Sequence, residues 1–590
     1  MPKRRVNQDI ESNSPGLLVI AIGFAIVVVA APIVGWPKLV RLPALLVPAL
    51  AGAILIVRPW QWSGSQLKTL REWQPSPRVV WAAALLIGLM LYWLVFTRFR
   101  SGEINAIDFT IYFDRPLFQT LRGRPLFVET ADNGFGQRSQ LTVHAFWGML
   151  PLTLFYAVHP TPQWLLVLSV VSVVFGAVHV LRIVQRLGAG GVLAAASALA
   201  FVLNDNTART LNYGFHPEVL YAWFIPWLLD AGLQGNRISF LAATLASVSV
   251  KEDACMPLFA ASIALGFVLW HKMSWFDRAL FLIVPNVIGL VNLGIYFGYV
   301  VPQLTADGRP TYSNFWANYG ATPMLALAGM VSQPGRVLFD TLRSGFFRSV
   351  IVPHLFLPII GWRWVIGIIP IVALYGTSAN PQLRAFGVYY AIVLVPFLVI
   401  AASFGALTFA RSFTKDLGRA RWVASSIVLC GALVVGSWNA GYSLRPWRAE
   451  IAAVPEALGL LADERLVLVQ SGLYPHAGYE ERSKLLTPET LHDASSVGAA
   501  VLLAPAVSAY PLRLDELDTL IRLPRIRPMP KGLVAVRLPG DGRIGAATTR
   551  WPSRTRWPFD GCSASCPASL ECRDRDWHAG GPGCNESPTP

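Results

Sequence analysis

Four long windows of this chain carry no charged residue. They contain 18 to 23 residues each and lie at Leu17–Gly35, Val79–Phe96, Trp164–Leu181 and Ala279–Val301. A helix of about 20 apolar residues is long enough to cross the roughly 30 Å hydrocarbon core of a bilayer. Only 14% of all residues are charged, against about 25% in an average soluble protein. The sequence therefore predicts an all-α polytopic membrane protein.

Basic loops predict how the chain crosses the membrane. We attribute its formal net charge of +15 to the Lys and Arg of cytoplasmic loops and not to nucleic-acid binding. With the N-terminal MPKRR in the cytoplasm, alternation of the apolar runs places four basic loops on the same side: 58–78, 182–186, 271–278 and 410–422. This alternation predicts about 13 transmembrane helices in the plasma (inner) membrane, with the C-terminal part outside. Leu17–Gly35 lacks a usual cleavage site and is interpreted as a retained helix.

Composition divides the chain into four parts. Short apolar runs near 466–470, 497–505 and 532–538 are typical of buried strands, and 514–523 is typical of a helix. The predicted parts are a two-helix extension (1–78), a transmembrane core (79–441) with outer loops 98–162 and 302–348, a small extracytoplasmic α/β domain (442–540), and a disordered tail (541–590). Four cysteines in the tail lack the spacing of a paired zinc motif, which favours disulfides or no role.

The outer loop 98–162 departs from the usual charge distribution. It holds six Arg up to Arg138, although cationic residues normally gather in cytoplasmic loops, and five acidic residues nearly balance them. The run His144–Val158 is too short to span comfortably and is interrupted by Pro151. We interpret it as a half-buried helix at the membrane interface.

The topology brings five polar groups of residues to the outer face. Ionisable side chains near membrane depth are costly, so their accumulation indicates a functional cavity that opens to that side. For each group alone a structural role is as good an interpretation, such as a solvated loop acid or a self-neutralised helix end. The groups are Asp108, His144, His216-Pro217-Glu218, Lys251-Glu252-Asp253, and Asn380 with Arg384, Tyr389 and Tyr390.

These residue types suit the transfer of a group from a lipid phosphate. Carboxylates beside His can act as general bases or hold a metal ion. Lys and Arg can bind a phosphate, and the candidates are Lys251 with Arg98, Arg100, Arg115 or Arg384. Aromatic side chains suit sugar faces or lipid chains, and the candidates are Tyr112, Phe113, Tyr213, Trp316 and Tyr319.

Several blocks resemble a family of uncharacterised prokaryotic membrane proteins, labelled domain of unknown function 2079. The blocks are INAIDFTIYFDRPLFQTLRGRPLF, VHAFWGMLPLTLFYAVHPTPQWLL, NYGFHPEVLYAWFIPWLL, SVKEDACMPLFAA and LYPHAGY, and the similarity covers about 95–540. That family is similar in architecture to the GT-C superfamily of glycosyltransferases, which use polyprenyl-phosphate sugars. The resemblance implies a GT-C-like transmembrane core, a polyprenyl-phosphate-linked sugar donor, a cell-envelope acceptor and inverting transfer at the outer face.

The resemblance also implies roles for particular residues. An acid in the first outer loop acts as the base or orients the acceptor, and that role falls on Asp108, with Asp114 as the second candidate. The family often reads F-D-L-G-I-Y-D-Q at this point, and it often has an acid where Val143 precedes His144 here. These departures count against a metal ion at that point. The predicted substrate-binding residues are Arg115, His144, His216, Glu218, Lys251, Glu252, Asp253, Arg384 and Tyr390.

Three alternatives stay open at the level of sequence. His144, His216 and Glu218 shape the site or bind a divalent cation, and no metal ligand set is predicted. A membrane transporter or lipid flippase is the alternative function, although internal repeats and mid-helix charges, which are typical of transporters, are not evident. A non-catalytic assembly factor that presents its α/β domain is the third interpretation.

Overall fold

The structure is a computed structural model, and it describes most of the chain between residues 73 and 538. The described ranges are 73–104, 106–128, 139–305, 313–438, 442–504 and 526–538, with the single residues 507, 512 and 520. The two predicted N-terminal spans, the predicted helix at 514–523 apart from Leu520, and the cysteine-containing tail lie outside these residues.

Helices make up most of the described chain. The first begins where the Ser76 hydroxyl accepts a hydrogen bond from the backbone N–H of Val79, and Pro77 occupies the first turn, where its missing N–H costs nothing. The described α-helices of seven residues or more are α1 (Pro77–Arg100), α2 (Arg115–Leu121), α3 (Met149–Tyr156), α4 (Gln163–Arg186), α5 (Gly191–Leu203), α6 (Asp205–Tyr213), α7 (Tyr221–Gln234), α8 (Arg237–Val248), α9 (Cys255–Leu269), α10 (Val284–Ile295), α11 (Pro323–Ser332), α12 (Pro334–Arg343), α13 (Ile369–Gly376), α14 (Val395–Phe413), α15 (Leu417–Trp438), α16 (Val454–Leu460) and α17 (Pro488–Val497).

Five of the described helical stretches are long and apolar enough to cross a membrane. They are Pro77–Arg100, Gln163–Arg186, Glu252–Lys272, Trp275–Leu304 and Val395–Phe413. They overlap the spans predicted from apolar runs at about 79–97, 163–181, 254–270, 279–301 and 389–406, which confirms the helical, apolar character of the core. The count of about 13 spans and the orientation of the termini stay predictions.

Helix α4 lies at the centre of the described bundle, where it packs against α1, α5 and α7. Gly176 allows the closest of these approaches, because a Cβ atom at this position would lie 1.9 Å from the carbonyl oxygen of Ala222 in α7. The run His144–Val158 contains α3, whose residues Leu154 and Phe155 are 75% and 65% exposed. That exposure agrees with the predicted half-buried helix.

A five-stranded sheet follows the helical bundle. Its strands are β1 (Val467–Val469), β2 (Ser483–Leu485), β3 (Ala500–Leu503), β4 (Ile526–Pro528) and β5 (Val534–Arg537), in the order β2-β1-β3-β5-β4. β1 pairs in parallel with β2 and β3, and α17 makes the crossover from β2 to β3. β5 is antiparallel to β3 and β4. Strands are thus present at three predicted positions, β2 and β4 are additional, and the location of the sheet outside the membrane stays a prediction.

Candidate functional site

Polar residues from five connecting segments meet at one end of the helical bundle. The first segment follows α1 and forms a π-helix over Ile107–Asp114, a geometry that occurs often at functional sites. Asp108 lies in the first turn of this helix and is half-buried. The residue is therefore partly enclosed by protein and partly accessible.

The hydroxyl of Tyr213 donates a hydrogen bond to the Asp108 carboxylate. Tyr213 is the last residue of α6, and Gly214 turns the chain away from that helix with a φ of 107°. A side chain at Gly214 would be strained at this φ, and its Cβ would also lie 2.9 Å from a methyl group of Ile104. The glycine thus lets the chain bring Tyr213 and His216 to the same site.

His216 is oriented by a carboxylate and by an aromatic ring. Pro217 favours an extended backbone at His216, which has φ −143° and ψ 143°. Its Nδ1 is hydrogen bonded to the carboxylate of Glu218, and its ring stacks on Tyr389 with 3.6 Å between centroids. Burial lowers the pKa of His216, against the effect of Glu218 and Asp108, so the imidazole is neutral near pH 7. A neutral ring that donates from Nδ1 leaves Nε2 as a proton acceptor.

Lys251 joins two further carboxylates to the group. Its Nζ lies 2.7 Å from Glu218 and 3.7 Å from Asp253. Burial alone would lower the pKa of Lys251, but Asp253 and Glu218 raise it well above its usual value. Burial alone would likewise raise the pKa of Glu218, but His216 and Lys251 hold it below its usual value. Both groups are therefore charged.

A second histidine–carboxylate pair lies beside the first. His144 Nδ1 is 3.1 Å from Glu252, and the other oxygen of Glu252 accepts a hydrogen bond of 3.0 Å from the backbone N–H of Ala145. The rings of His144 and His216 meet edge to face with 5.7 Å between centroids. The two pairs thus form one continuous group.

We call this group the polar cluster. Its members are Asp108, His144, Tyr213, His216, Glu218, Lys251, Glu252, Asp253, Tyr389 and Tyr390. Glu218, Lys251 and Glu252 are buried, whereas Asp108, His144 and Asp253 are half-buried. The side chains that a substrate can reach are thus backed by a buried ion-pair network. Tyr390 joins through Tyr389, with 3.2 Å between the two hydroxyl oxygens.

Asp114 and Arg115 have partners outside the polar cluster. The Asp114 carboxylate accepts hydrogen bonds from the hydroxyls of Tyr156 and Tyr479, the latter at 3.0 Å. Burial raises the pKa of Asp114 to about 7, against the hydrogen bonds of the two tyrosines and the charge of Arg115. Arg115 donates to the carbonyl of Ser483 at 3.2 Å. Both residues therefore attach the first loop to the sheet, and their predicted functional roles stay predictions.

Arg384 lies on the surface. It ends the short helix Pro381–Arg384, whose first turn is capped by the Asn380 side chain through hydrogen bonds from the N–H groups of Gln382 and Leu383. The Arg384 side chain is exposed, and no contact with the polar cluster is seen in the described part of the chain. Its substrate-binding role also stays a prediction.

In the described residues, no group of three or more His, Cys, Asp or Glu side chains is arranged to hold a metal ion. The carboxylates of Glu218 and Glu252 are instead bonded to Lys251 and His144.

Sequence reasoning missed the contacts of two tyrosines. Tyr213 was expected only as an aromatic surface, yet its hydroxyl donates a hydrogen bond to Asp108. Tyr389 was expected only as a member of an outer group, yet its ring stacks on His216. The available signal was their position in the sequence: Tyr213 lies three residues before His216, and Tyr389 lies one residue before Tyr390.

Comparisons with known proteins place the chain in a family. No curated protein matches it. Two crystal structures of ArnT from Cupriavidus metallidurans are similar, one bound to undecaprenyl phosphate and one in the apo state. They are 9% and 10% identical, with TM-scores of 0.44 and 0.45, and the alignments cover 78% and 79% of this chain and 98% and 99% of theirs.

The model of the family described as "Predicted membrane protein (DUF2079)" matches residues 98–476. The match begins near the predicted start of the resemblance and ends before the predicted limit of about 540. It contains every residue of the polar cluster and confirms the family that the sequence blocks indicated. The chain therefore belongs to the DUF2079 family of membrane proteins.

Proposed function

We propose that the chain is a glycosyltransferase of the GT-C type, which transfers a sugar from a polyprenyl-phosphate carrier to a cell-envelope acceptor at the outer face of the plasma membrane. One observation carries the proposal. Asp108, a half-buried aspartate, accepts a hydrogen bond from a tyrosine at the edge of a buried ion-pair network, at the end of helices long and apolar enough to cross a bilayer. A lipid carrier would present its phosphate at this depth.

Asp108 is the general base in this proposal. The acceptor hydroxyl oxygen attacks the anomeric carbon and loses its proton to the Asp108 carboxylate. The bond between that carbon and the phosphate oxygen breaks, and its electron pair leaves with polyprenyl phosphate. The attack comes from the face opposite the leaving group, so the anomeric configuration inverts. The hydrogen bond from Tyr213 fixes the carboxylate before the substrate binds.

Lys251 is the proposed ligand of the departing phosphate. An ammonium group has three N–H donors. Glu218 takes one at 2.7 Å and Asp253 lies at 3.7 Å, which leaves a donor for a phosphate oxygen. The surrounding carboxylates keep the ammonium charged, as a phosphate ligand must be. His144, Glu252 and Tyr390 complete the walls that orient the sugar.

The decisive experiment compares Asp108 and Asp340, two aspartates that each accept a hydrogen bond from a tyrosine hydroxyl. The full chain is reconstituted into proteoliposomes with envelope extract as acceptor and a panel of polyprenyl phosphates that each carry one radiolabelled sugar. Release of polyprenyl phosphate and transfer of label are measured. Asp108→Asn should abolish both. Asp340→Asn should leave both unchanged, because Asp340 accepts a hydrogen bond from Tyr319 at 2.6 Å outside the polar cluster.

Near-normal turnover by Asp108→Asn would reject Asp108 as the base. The pair of Glu218 and His216 is then the next candidate, since His216 has an available Nε2, and His216→Gln tests it directly. Movement of the labelled lipid across the bilayer without any transfer would favour the alternative of a transporter or flippase.

A further inference from the structure

Four arginines gather where α1 ends, on the side of the bundle that holds the polar cluster. Arg98 and Arg100 are in the last turn of α1. Arg445 and Arg448 belong to the segment that runs back along this turn, where the Arg448 N–H donates to the carbonyl of Arg100 at 3.2 Å. The backbone N–H of Arg445 similarly donates to Thr97 Oγ1 at 3.3 Å. Folding thus adds two arginines of a distant segment to two of the six arginines in the predicted outer loop 98–162.

One carboxylate pairs with two of these arginines. Glu103 lies 2.9 Å from Nη2 of Arg98 and 3.0 Å from Nε of Arg445. Within the described residues no carboxylate pairs with Arg100 or Arg448, and the buried Nε of Arg448 has no hydrogen-bond acceptor. Desolvated donors without acceptors are costly. The four arginines and Glu103 together carry an excess of three positive charges.

The C-terminal end of α1 also carries exposed tryptophans, which are typical of a membrane interface. The Arg100 guanidinium lies 5.6 Å from the ring centre of Trp447. The ring of Trp447 packs against that of Trp93, with 5.7 Å between the two ring centres. Trp447 is 54% exposed and Trp93 is 49% exposed. Tryptophan is enriched at the depth of lipid headgroups. Arg100 therefore lies beside a residue type that is typical of the level of the lipid phosphates.

Below the tryptophans α1 presents an apolar surface to its surroundings. Leu85, Leu86 and Leu89 are 66%, 54% and 60% exposed. Only 17% of the apolar window of α1 is buried inside the protein. This face fits acyl chains that descend from a headgroup held above it.

We propose that Arg100 and Arg448 bind the phosphate of an anionic glycerophospholipid, whose acyl chains lie along the exposed face of α1. Guanidinium groups suit this ligand because they donate two parallel hydrogen bonds to phosphate oxygens. The inference depends on the membrane location of α1 and not on sugar transfer, so either can fail alone.

Lipid retention by the full chain tests the proposal. The detergent-purified protein is titrated with phosphatidylglycerol or phosphatidylcholine, and bound lipid is counted by native mass spectrometry. The wild type should prefer phosphatidylglycerol. Arg100→Gln with Arg448→Gln should weaken phosphatidylglycerol binding about 30-fold, which corresponds to about 1 kcal/mol for each cation at an anionic headgroup. Arg100→Lys with Arg448→Lys keeps the charge and should retain part of the preference.

A matched control removes the same charge from the sheet. Arg465 and Arg527 are exposed there, and Arg465→Gln with Arg527→Gln should leave lipid binding unchanged. Equal affinity of the wild type for the two lipids would overturn the proposal, as would unchanged phosphatidylglycerol binding after the Arg100 and Arg448 substitutions. Circular dichroism of each variant separates loss of binding from loss of fold.

Discussion

The ammonium of Lys251 lies 2.7 Å from a carboxylate oxygen of Glu218, and both residues are buried. Glu218 precedes α7 and Lys251 follows α8, so the ion pair connects the ends of two antiparallel neighbours. A buried charge that loses its partner retains the full cost of desolvation. The polar cluster therefore stabilises the bundle as well as shaping a site.

Lys251→Met should destabilise the protein by about 3 to 5 kcal/mol, because it leaves the buried carboxylate of Glu218 without its cation. Glu218→Gln combined with Lys251→Met should cost less than Lys251→Met alone, since the uncompensated charge is then removed. Thermal unfolding of detergent-solubilised protein measures both variants. If Lys251→Met alone were as stable as the wild type, the ion pair would not contribute to the stability of the protein.

Tyr213→Phe should reduce sugar transfer about 10-fold or more, because the Asp108 carboxylate loses the hydroxyl that orients it. The free energy of unfolding should fall by only about 1 kcal/mol, the usual net contribution of one hydrogen bond. Turnover and unfolding are measured on the same preparations. Tyr319→Phe is the control, since it keeps the aromatic ring that the sequence singled out, removes only the hydroxyl that donates to Asp340, and should leave transfer unchanged. An equal loss in both variants would point to a general effect on folding.

Asp114 should make stability depend on pH. Its pKa is about 7 in the folded protein, against about 3.9 for an unfolded chain. Between these values the unfolded chain has lost the proton that the folded protein keeps, so stability falls as pH rises and levels off above about pH 7. Unfolding free energy should drop by about 2 to 3 kcal/mol from pH 5 to pH 8.

Asp114→Asn should remove this drop, whereas substitution of the exposed Asp463 by Asn should retain it. The test follows thermal unfolding of the three proteins in detergent at several pH values. A wild type that is equally stable at both ends of the range would show that Tyr156 and Tyr479 stabilise the ionised carboxylate enough to cancel the effect of burial.

The sequence predicted best those elements that a single local signal defines. Uninterrupted apolar runs placed spans at about 79–97 and 163–181, and α1 and α4 cover both. β1, β3 and β5 were visible as apolar runs. β2 and β4 were missed because SKL and IRP are three-residue strands with a charge at the centre, and only pairing with neighbouring strands makes them extended.

Long-range contacts explain what the sequence left open in the site. Counting spans brought Asp108, His144, His216 and Lys251 to one side, and the structure puts them in one cluster. Which partner each residue takes depends on packing between distant segments, as for Tyr213 and Asp108, which are 105 residues apart. The sequence named Asp108 as the first candidate and Asp114 as the second, six residues apart in the same segment. The π-helix between them directs one to the polar cluster and the other to the sheet.

Gly176→Leu should prevent the bundle from assembling, whereas Gly294→Ala should be tolerated. A Cβ at Gly176 would lie 1.9 Å from the carbonyl oxygen of Ala222, and backbone atoms of a packed helix cannot yield as a flexible side chain does. A Cβ at Gly294 in α10 would meet nothing within 4 Å. The yield of monodisperse protein in detergent and its unfolding temperature report the difference. Because α7 begins three residues after Glu218, a separation of α4 from α7 should also disturb the polar cluster. Wild-type behaviour of Gly176→Leu would mean that α4 and α7 are farther apart than described.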